Sequence, residues 1–456
     1  MAASEESTFG GRLGRFAKVG AGVSGVAAGT AVRRLVGAVS GGEAADLNRA
    51  DAEALKNALG GLKGPLMKAA QIMSTVPDLL PPEFAEALST LQSEAPPMGP
   101  GFVRRRMSAE LGADWKSKFA AFDQEPVGAA SLGQVHKATH PDGRALACKL
   151  QYPNMKSAID SDLDQMKFVL GVFKRVESGI DTSDIQAELS ERLREELDYV
   201  REAANMRLYR DMLRETEAVH VPEPIEELST ERLLSMTWLD GGKLLSFKEE
   251  SQDVRNRIAV NLFHAWWRPF CGHAVIHGDP HLGNYTIRPE DHSVNLLDFG
   301  CVRIFSPEFA GGVVDLYRAI RAGDRDAQVA AYEAWGFRSL SNALVDALNV
   351  WASFIYRPLL EDRVRTVAEG VAPSEYGRKE VFEVRRRLKE AGPVRPPREF
   401  VLMDRAAIGL GSVFLHLDAK LNFHRLFEDE IDGLTVEALR ARQSKALETA
   451  GGPLAA

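Results

Sequence analysis

Cysteine is scarce in this chain. Cys148, Cys271 and Cys301 are the only three in 456 residues, and no two of them form a CxxC pair. That excludes a disulfide framework and a cysteine-based zinc site, and it fits a reducing compartment. Long apolar runs are missing too. No stretch of about 18 apolar residues occurs, so no transmembrane helix is expected. The nearest approach, Val19 to Val32, is short, rich in Gly and Ala, and flanked by Arg12, Arg15, Lys18, Arg33 and Arg34. A secretory signal is a poor match, because the apolar part is glycine-rich and no convincing cleavage site comes after it. Positive charge is not in excess either. The net charge is −8, which gives no ground for general affinity for nucleic acid.

What is present describes a soluble globular chain. Apolar residues make up 45% and charged residues 26%, and 456 residues suffice for two lobes with cores of their own. The chemistry concentrates in His277-Gly278-Asp279-Pro280-His281-Leu282-Gly283-Asn284, followed by Leu296-Leu297-Asp298-Phe299-Gly300. Protein kinases carry an Asp, an Asn five positions on, and then an Asp-Phe-Gly. Asp279, Asn284 and Asp298 reproduce that order. A triphosphate needs divalent metal to neutralise its charge, and hard cations prefer carboxylate and amide oxygens. Asn284 and Asp298 are therefore the candidate metal ligands, and Asp279 the carboxylate facing an acceptor hydroxyl or a water. Aspartate also favours turns. Two motifs in this order, each beside an apolar strand-like run (Ala274 to Ile276, Val294 to Leu297), argue for chemistry over turn formation.

The rest of the chain falls into segments. Residues 1–42 form a Gly/Ala-rich, basic segment, with two open readings: a membrane-surface or helix-docking element, or a tail. Residues 43–100 carry a helical pattern and contain Lys68-Ala69-Ala70-Gln71. Residues 101–240 mix strands and helices, and 241–456 are helical in pattern, with His416 and His424 read as packing or surface residues. The stretch Pro126 to Leu150 reads as two strands joined by a turn at Asp142-Gly143. Lys149 ends an apolar strand, where a kinase places its phosphate-binding lysine. The loop Gly128-Ala129-Ala130-Ser131 stands where a kinase has glycines, so it is stiffer. A helix is expected from about Ser157 to Val176. A longer one is expected from about Asp184 to Arg214, with Leu193, Leu197, Val200 and Ala204 on its apolar side. On the latter, Glu195, Asp198 and Glu202 share a face, whereas Glu196 and Asp198 cannot. Glu202 is the candidate partner of Lys149. Trp238 to Gly242 resembles a hinge between lobes.

Taken together these residues resemble the UbiB (AarF) family of atypical, protein-kinase-like proteins tied to ubiquinone biosynthesis. The resemblance covers roughly residues 45–430. It rests on Lys68-x-x-Gln71, the alanine-rich loop, Lys149, Glu196-x-Asp198, Glu202 within Tyr-x-x-Glu-Ala-Ala-Asn, His277 to Asn284, and Asp298 to Gly300. It implies an α+β, bilobal kinase-like fold with an N-terminal helical extension and a mostly helical second lobe. It also implies ATP (or ADP) with Mg2+ as cofactors, ATPase activity, and a small prenylated or lipid-like substrate. By the same resemblance Lys68 and Gln71 cover the site beside Glu196 and Asp198, and Lys149 meets nucleotide phosphates and pairs with Glu202. Asn284 and Asp298 would bind magnesium. Partners would be nucleotide, a membrane surface and other quinone-biosynthesis proteins. The expected place is the cytoplasm, peripheral at the inner face of the membrane.

Several residues depart from the family pattern. Ala70 replaces the glycine of the KxGQ motif. Gly128 stands where the family begins its loop with Ala, which relaxes the loop and bears on nucleotide preference. Leu282 stands where Pro is common, and the C-terminal transmembrane hairpin of some relatives is absent. Two other classes share part of the pattern. Aminoglycoside- or choline-kinase-type phosphotransferases also carry a His-Gly-Asp-x-His-x-Gly-Asn run. A lipid-binding scaffold would use the nucleotide only as a switch.

Overall fold

Pro100 opens the first helix among the described residues, where its missing N–H costs nothing and its fixed φ suits the first turn. The computed structural model describes residues 98–130, 132–153, 155, 191, 193–338, 340–371, 376, 383–384, 386–387 and 397–451. The expected helical unit over 43–95 with Lys68 and Gln71, the expected helix from Ser157 to Val176, and Ser131 all lie outside the described residues. The chain divides into two compact units. One ends at Tyr199 and takes in Ile225–Met236; the other comprises Val200–Pro224 and Thr237–Ala456.

The first unit contains α1 (Pro100–Leu111), β1 (Ala121–Ala130), β2 (Gly133–Thr139) and β3 (Ala145–Gln151). After α2 (Tyr199–Met212) and β4 (Val219–His220) comes β5 (Leu233–Thr237), which completes a four-stranded sheet in the order β1-β2-β3-β5. The β2–β3 hairpin turns at Pro141 to Gly143, and Gly143 takes the φ of +93° that a side chain resists. Residues 126–138 are not one strand, as expected, but two. β1 and β2 run antiparallel, and Ala130 pairs with Gly133. Val103 and Met107 of α1 pack with Trp115, Phe119, Leu146, Cys148 and Leu150 into one apolar cluster. Each side chain of that size contributes about 1.5–3 kcal/mol by burial.

The helix expected from Asp184 to Arg214 is interrupted. Leu197 and Asp198 donate their N–H groups three residues back, to the Arg194 and Glu195 carbonyls, and a new helix begins at Tyr199. The phase of the helix shifts there. Leu193 and Leu197 are buried, but Val200 is 41% exposed while Tyr199, Ala203 and Ala204 face inward. Glu195, Asp198 and Glu202 therefore do not share one helical face.

The second unit is built on α3 (Gln252–His273), capped by the Ser251 hydroxyl, which accepts from the Val254 N–H. Its Trp267 meets Phe427 edge-on at 4.7 Å, and Trp266 stacks on Phe270 at 6.1 Å. Ala274 ends the helix in the left-handed region, φ 54° and ψ 37°, and turns the chain straight into β7 (Val275–His277). The strands β6 (Gly242–Lys243), β8 (Tyr285–Ile287) and β9 (Val294–Leu296) join β4 in the order β4-β9-β8-β6, with β4 parallel to β9. A separate ribbon pairs β7 with β10 (Val302–Ile304).

The helices α4 (Pro307–Ala322), α5 (Arg325–Ala334), α6 (Asn342–Leu360), α7 (Arg398–His416), α8 (Phe423–Ile431) and α9 (Val436–Ala450) complete the second unit. The region after 308 is not helical throughout. Arg365 and Leu421 form an isolated bridge between helices. Among the described residues, no helix is long and apolar enough to cross a membrane.

One close approach tests the first sheet. A Cβ on Gly133 would lie 2.4 Å from the Leu150 carbonyl oxygen, a backbone atom that cannot rotate away. Gly133→Ala is expected to cost about 1–3 kcal/mol, read as a lower urea midpoint. An unchanged midpoint would show that β2 and β3 can separate there.

Candidate active site

In the second unit the motif residues sit on strand ends. The chain leaves β7 at His277, passes Gly278 to His281, and makes a 3-10 turn at Leu282–Asn284 before entering β8. After β9 it turns through Leu297 to Gly300 into β10. Two backbone bonds bring these segments together. The Gly278 N–H donates to the Cys301 carbonyl at 2.8 Å, and the Leu297 N–H donates to the Asn284 carbonyl at 3.0 Å. Glycine is required at 278, since a Cβ there would lie 2.5 Å from the Cys301 oxygen.

Asp279, Asn284 and Asp298 are each half-buried. The Asn284 amide donates to the Asp279 carbonyl at 2.9 Å and to Asp279 Oδ2 at 3.2 Å. Its own Oδ1 is therefore the atom to offer a cation. Asp298 Oδ1 accepts from the Gly300 N–H at 3.0 Å, which fixes the carboxylate within its turn. The His277 ring is buried, and its Nε2 bonds the Asp298 carbonyl. A carbonyl only accepts, so Nε2 carries the proton and Nδ1 faces the interior. Among the described residues Nδ1 has no hydrogen-bond partner, and neither does the Tyr209 hydroxyl. Tyr285, buried beneath the motif, has its phenol pushed up by burial and then by the nearby Asp279 charge, so it stays neutral.

The oxygen donors suit magnesium. Among the described residues no cluster of three or more His, Cys, Asp or Glu could hold a metal alone. An amide oxygen and a carboxylate that leave most positions open match Mg2+, which keeps water and shares substrate phosphates rather than sitting in an all-protein cage.

In the first unit Lys149 lies on β3 opposite Val135 and is 8% exposed. Its Nζ stands 5.2 Å from the centroid of the Tyr199 ring, a cation–π distance. Two residues on, Gln151 donates to the Leu197 carbonyl at 3.0 Å. Lys149 and Gln151 thus both address the break that carries Glu196, which is half-buried, and Asp198, which is exposed. Gly128, Ala129 and Ala130 form the end of β1, and a Cβ on Gly128 would meet nothing within 4 Å. Glu202 lies on α2 in the second unit and is 1% exposed. Lys149 and Glu202 belong to different units, so their pairing stands as a proposal.

Four neighbours of these residues escaped the sequence reading. Tyr199 and Gln151 are two. Asn205 is the third, donating to the Phe299 carbonyl at 2.8 Å. Gly409 on α7 is the fourth; its missing Cβ would lie 2.7 Å from Pro280 Cγ. Tyr199 and Asn205 stand in the Tyr-x-x-Glu-Ala-Ala-Asn run, which was the signal available for them. Gln151 and Gly409 carry none, because their partners are distant in sequence.

The model of the ABC1 atypical kinase-like domain matches residues 90–332, just over half of the sequence. The chain belongs to that family. Yeast (Saccharomyces cerevisiae) atypical kinase COQ8, mitochondrial, is 31% identical over 264 residues, 58% of this chain and 53% of that protein. Rat (Rattus norvegicus) atypical kinase COQ8B, mitochondrial, is 31% identical over 281 residues, 61% of this chain and 53% of that protein. The chain thus spans about half the length of these curated relatives. Among solved structures, the complex of Rv3197 with erythromycin from Mycobacterium tuberculosis is similar. It is 28% identical, with a TM-score of 0.56, over 82% of this chain and 93% of that one. The α+β kinase-like fold expected from the motifs is the one these likenesses give.

Gly278→Ala tests how tightly the motif is set. It is expected to cut ATP turnover by about a hundredfold, since a displacement of about 1 Å at a reacting group has that effect. Turnover equal to wild type in a protein with unchanged melting would show that the β7–β10 approach does not position Asp279.

Proposed function

We propose that this chain is an atypical kinase or ATPase of the UbiB type, which hydrolyses or transfers the γ-phosphate of ATP and supports ubiquinone biosynthesis. One observation carries the reading: Asp279, Asn284 and Asp298 converge through the Asn284 amide on Asp279 and the Leu297 N–H on Asn284. The names of the COQ8 relatives support the pathway. In this reading Asn284 Oδ1 and the Asp298 carboxylate hold magnesium. Mg2+ supplies charge neutralisation on the transferring phosphoryl group. Asp279 orients the attacking hydroxyl or water, with its carboxylate held by the Asn284 amide. The Lys149 ammonium neutralises phosphate charge, and Glu202 holds that lysine. Gly128 to Ser131 lie over the phosphates. Lys68 and Gln71 close the site together with Glu196 and Asp198, so that water or a small prenylated molecule is the acceptor rather than a protein. The chain works in the cytoplasm, at the inner face of the membrane, with residues 1–42 as the contact.

A second ligand class has one observation in its favour. A similar solved structure is a complex with erythromycin. A ligand of that kind would stabilise this protein against heat in the absence of turnover.

The purified chain is expected to release phosphate from ATP only with Mg2+. Asp298→Asn, which removes a charge, and Lys149→Arg, which keeps the charge but displaces it, should each lower that rate by about a hundredfold or more, the scale for losing one fixed partner of the transition state. Undiminished turnover in both variants would sink the assignment. Profiling of quinones and their precursors after gene deletion tests the pathway separately, and an unchanged aerobic profile would remove it.

A further inference from the structure

One face of α2 meets the turn that carries Asp298. Asn205 and Tyr209 lie four residues apart and so share a face. The Asn205 amide donates to the Phe299 carbonyl at 2.8 Å, and the Tyr209 ring packs on the Phe299 ring at 5.4 Å. Asn205 is 2% exposed and Phe299 0%, so neither the amide nor the carbonyl it serves has water to turn to. Asparagine is a poor residue for a helix interior, and its donor here is directed out of the helix to a distant carbonyl. The preceding carbonyl, that of Asp298, is held by His277 Nε2. Two consecutive peptide units are thus pinned by two buried side chains from different elements. The Asp298 carboxylate, tied to the Gly300 N–H at 3.0 Å, has its direction set by both.

We propose that Asn205 is a positioning residue for Asp298: its amide aims the metal-binding carboxylate and ties that aim to the placement of α2. The proposal rests on the functional reading above, in which Asp298 holds the metal. It adds that the helix bearing Glu202 and the loop bearing Asp298 move as one piece. Asn205 touches neither nucleotide nor metal; it acts through the Phe299 backbone. Aspartate at 205 has the same shape but presents a carboxylate to a carbonyl and cannot donate. Glutamine keeps the donor on a longer stem.

The test uses the full chain, with Mn2+ as the probe and ADP present. Free Mn2+ is followed by its electron paramagnetic resonance signal, and unliganded melting is measured alongside. Asn205→Ala and Asn205→Asp are expected to raise the Mn2+ dissociation constant by about tenfold or more, as loss of a group that orients a metal ligand does. Affinity for ADP without metal should stay within about twofold, and Asn205→Gln should recover part of the Mn2+ affinity. Variants that melt lower yet bind Mn2+ as wild type does would overturn the proposal and leave Asn205 a packing residue. If Asn205→Ala does not fold, the comparison of Asn205→Asp with Asn205→Gln decides, and equal Mn2+ affinity in the two would be fatal to it. Wild-type protein that takes up no Mn2+ with ADP would overturn the functional reading and this inference together, an outcome distinct from wild-type binding that the variants share.

Discussion

The Asp298–Phe299 and Phe299–Gly300 peptide units point their carbonyls into protein, and each is met by one buried donor. Much of the candidate site depends on that arrangement. His277 can reach the Asp298 carbonyl only because β7 and β10 approach closely, and they do so only because residue 278 has no side chain. The Asn284 turn is tied to the same loop through the Leu297 N–H. A buried carbonyl deprived of its donor costs about 1–3 kcal/mol. The loop is therefore held in a narrow range of directions, and a carboxylate on it is preorganised.

Much of this was legible in the sequence because the chemistry and the residue types are locally encoded. His277 to Asn284 and Asp298 to Gly300 are contiguous runs whose spacing survives in three dimensions, and the apolar runs beside them became β7 and β9. The supporting contacts were not legible. Asn205 reaches Phe299 across 94 positions, Gln151 reaches Leu197 across 46, and Gly409 is small because Pro280 occupies its space. No periodicity records such pairs. The expectation of one helix from Asp184 to Arg214 failed for a related reason. The apolar spacing of Leu193, Leu197, Val200 and Ala204 runs smoothly across Glu196 to Asp198, and a break there leaves the pattern intact while rotating the residues C-terminal to it. The break also removes the difficulty that Glu196 and Asp198 could not face one way on a regular helix, since neither is now bound to helical geometry.

Lys149 has a contact that its place in the sequence does not announce. A lysine ending an apolar strand needs a partner, and the sequence offered carboxylates. Within its own unit the structure gives it an aromatic face, Tyr199, as well. A π-face attracts an ammonium without neutralising it.

The division of the chain has a topological result. The backbone leaves the first unit at Tyr199, returns at Ile225 and leaves again after Met236. Strand β4, which pairs in parallel with β9, and the Asn205 face of α2 both belong to the excursion between those points. No single cut in the polypeptide separates the two units. A fragment beginning near residue 237 lacks an edge strand and the donor that holds Phe299, and one ending there carries both without their acceptors. During synthesis α2 and β4 emerge well before β9 and the Asp298 turn, so they stay unpartnered until the ribosome has passed residue 300. The second unit is in that sense assembled late, from pieces well separated along the kinase-like region.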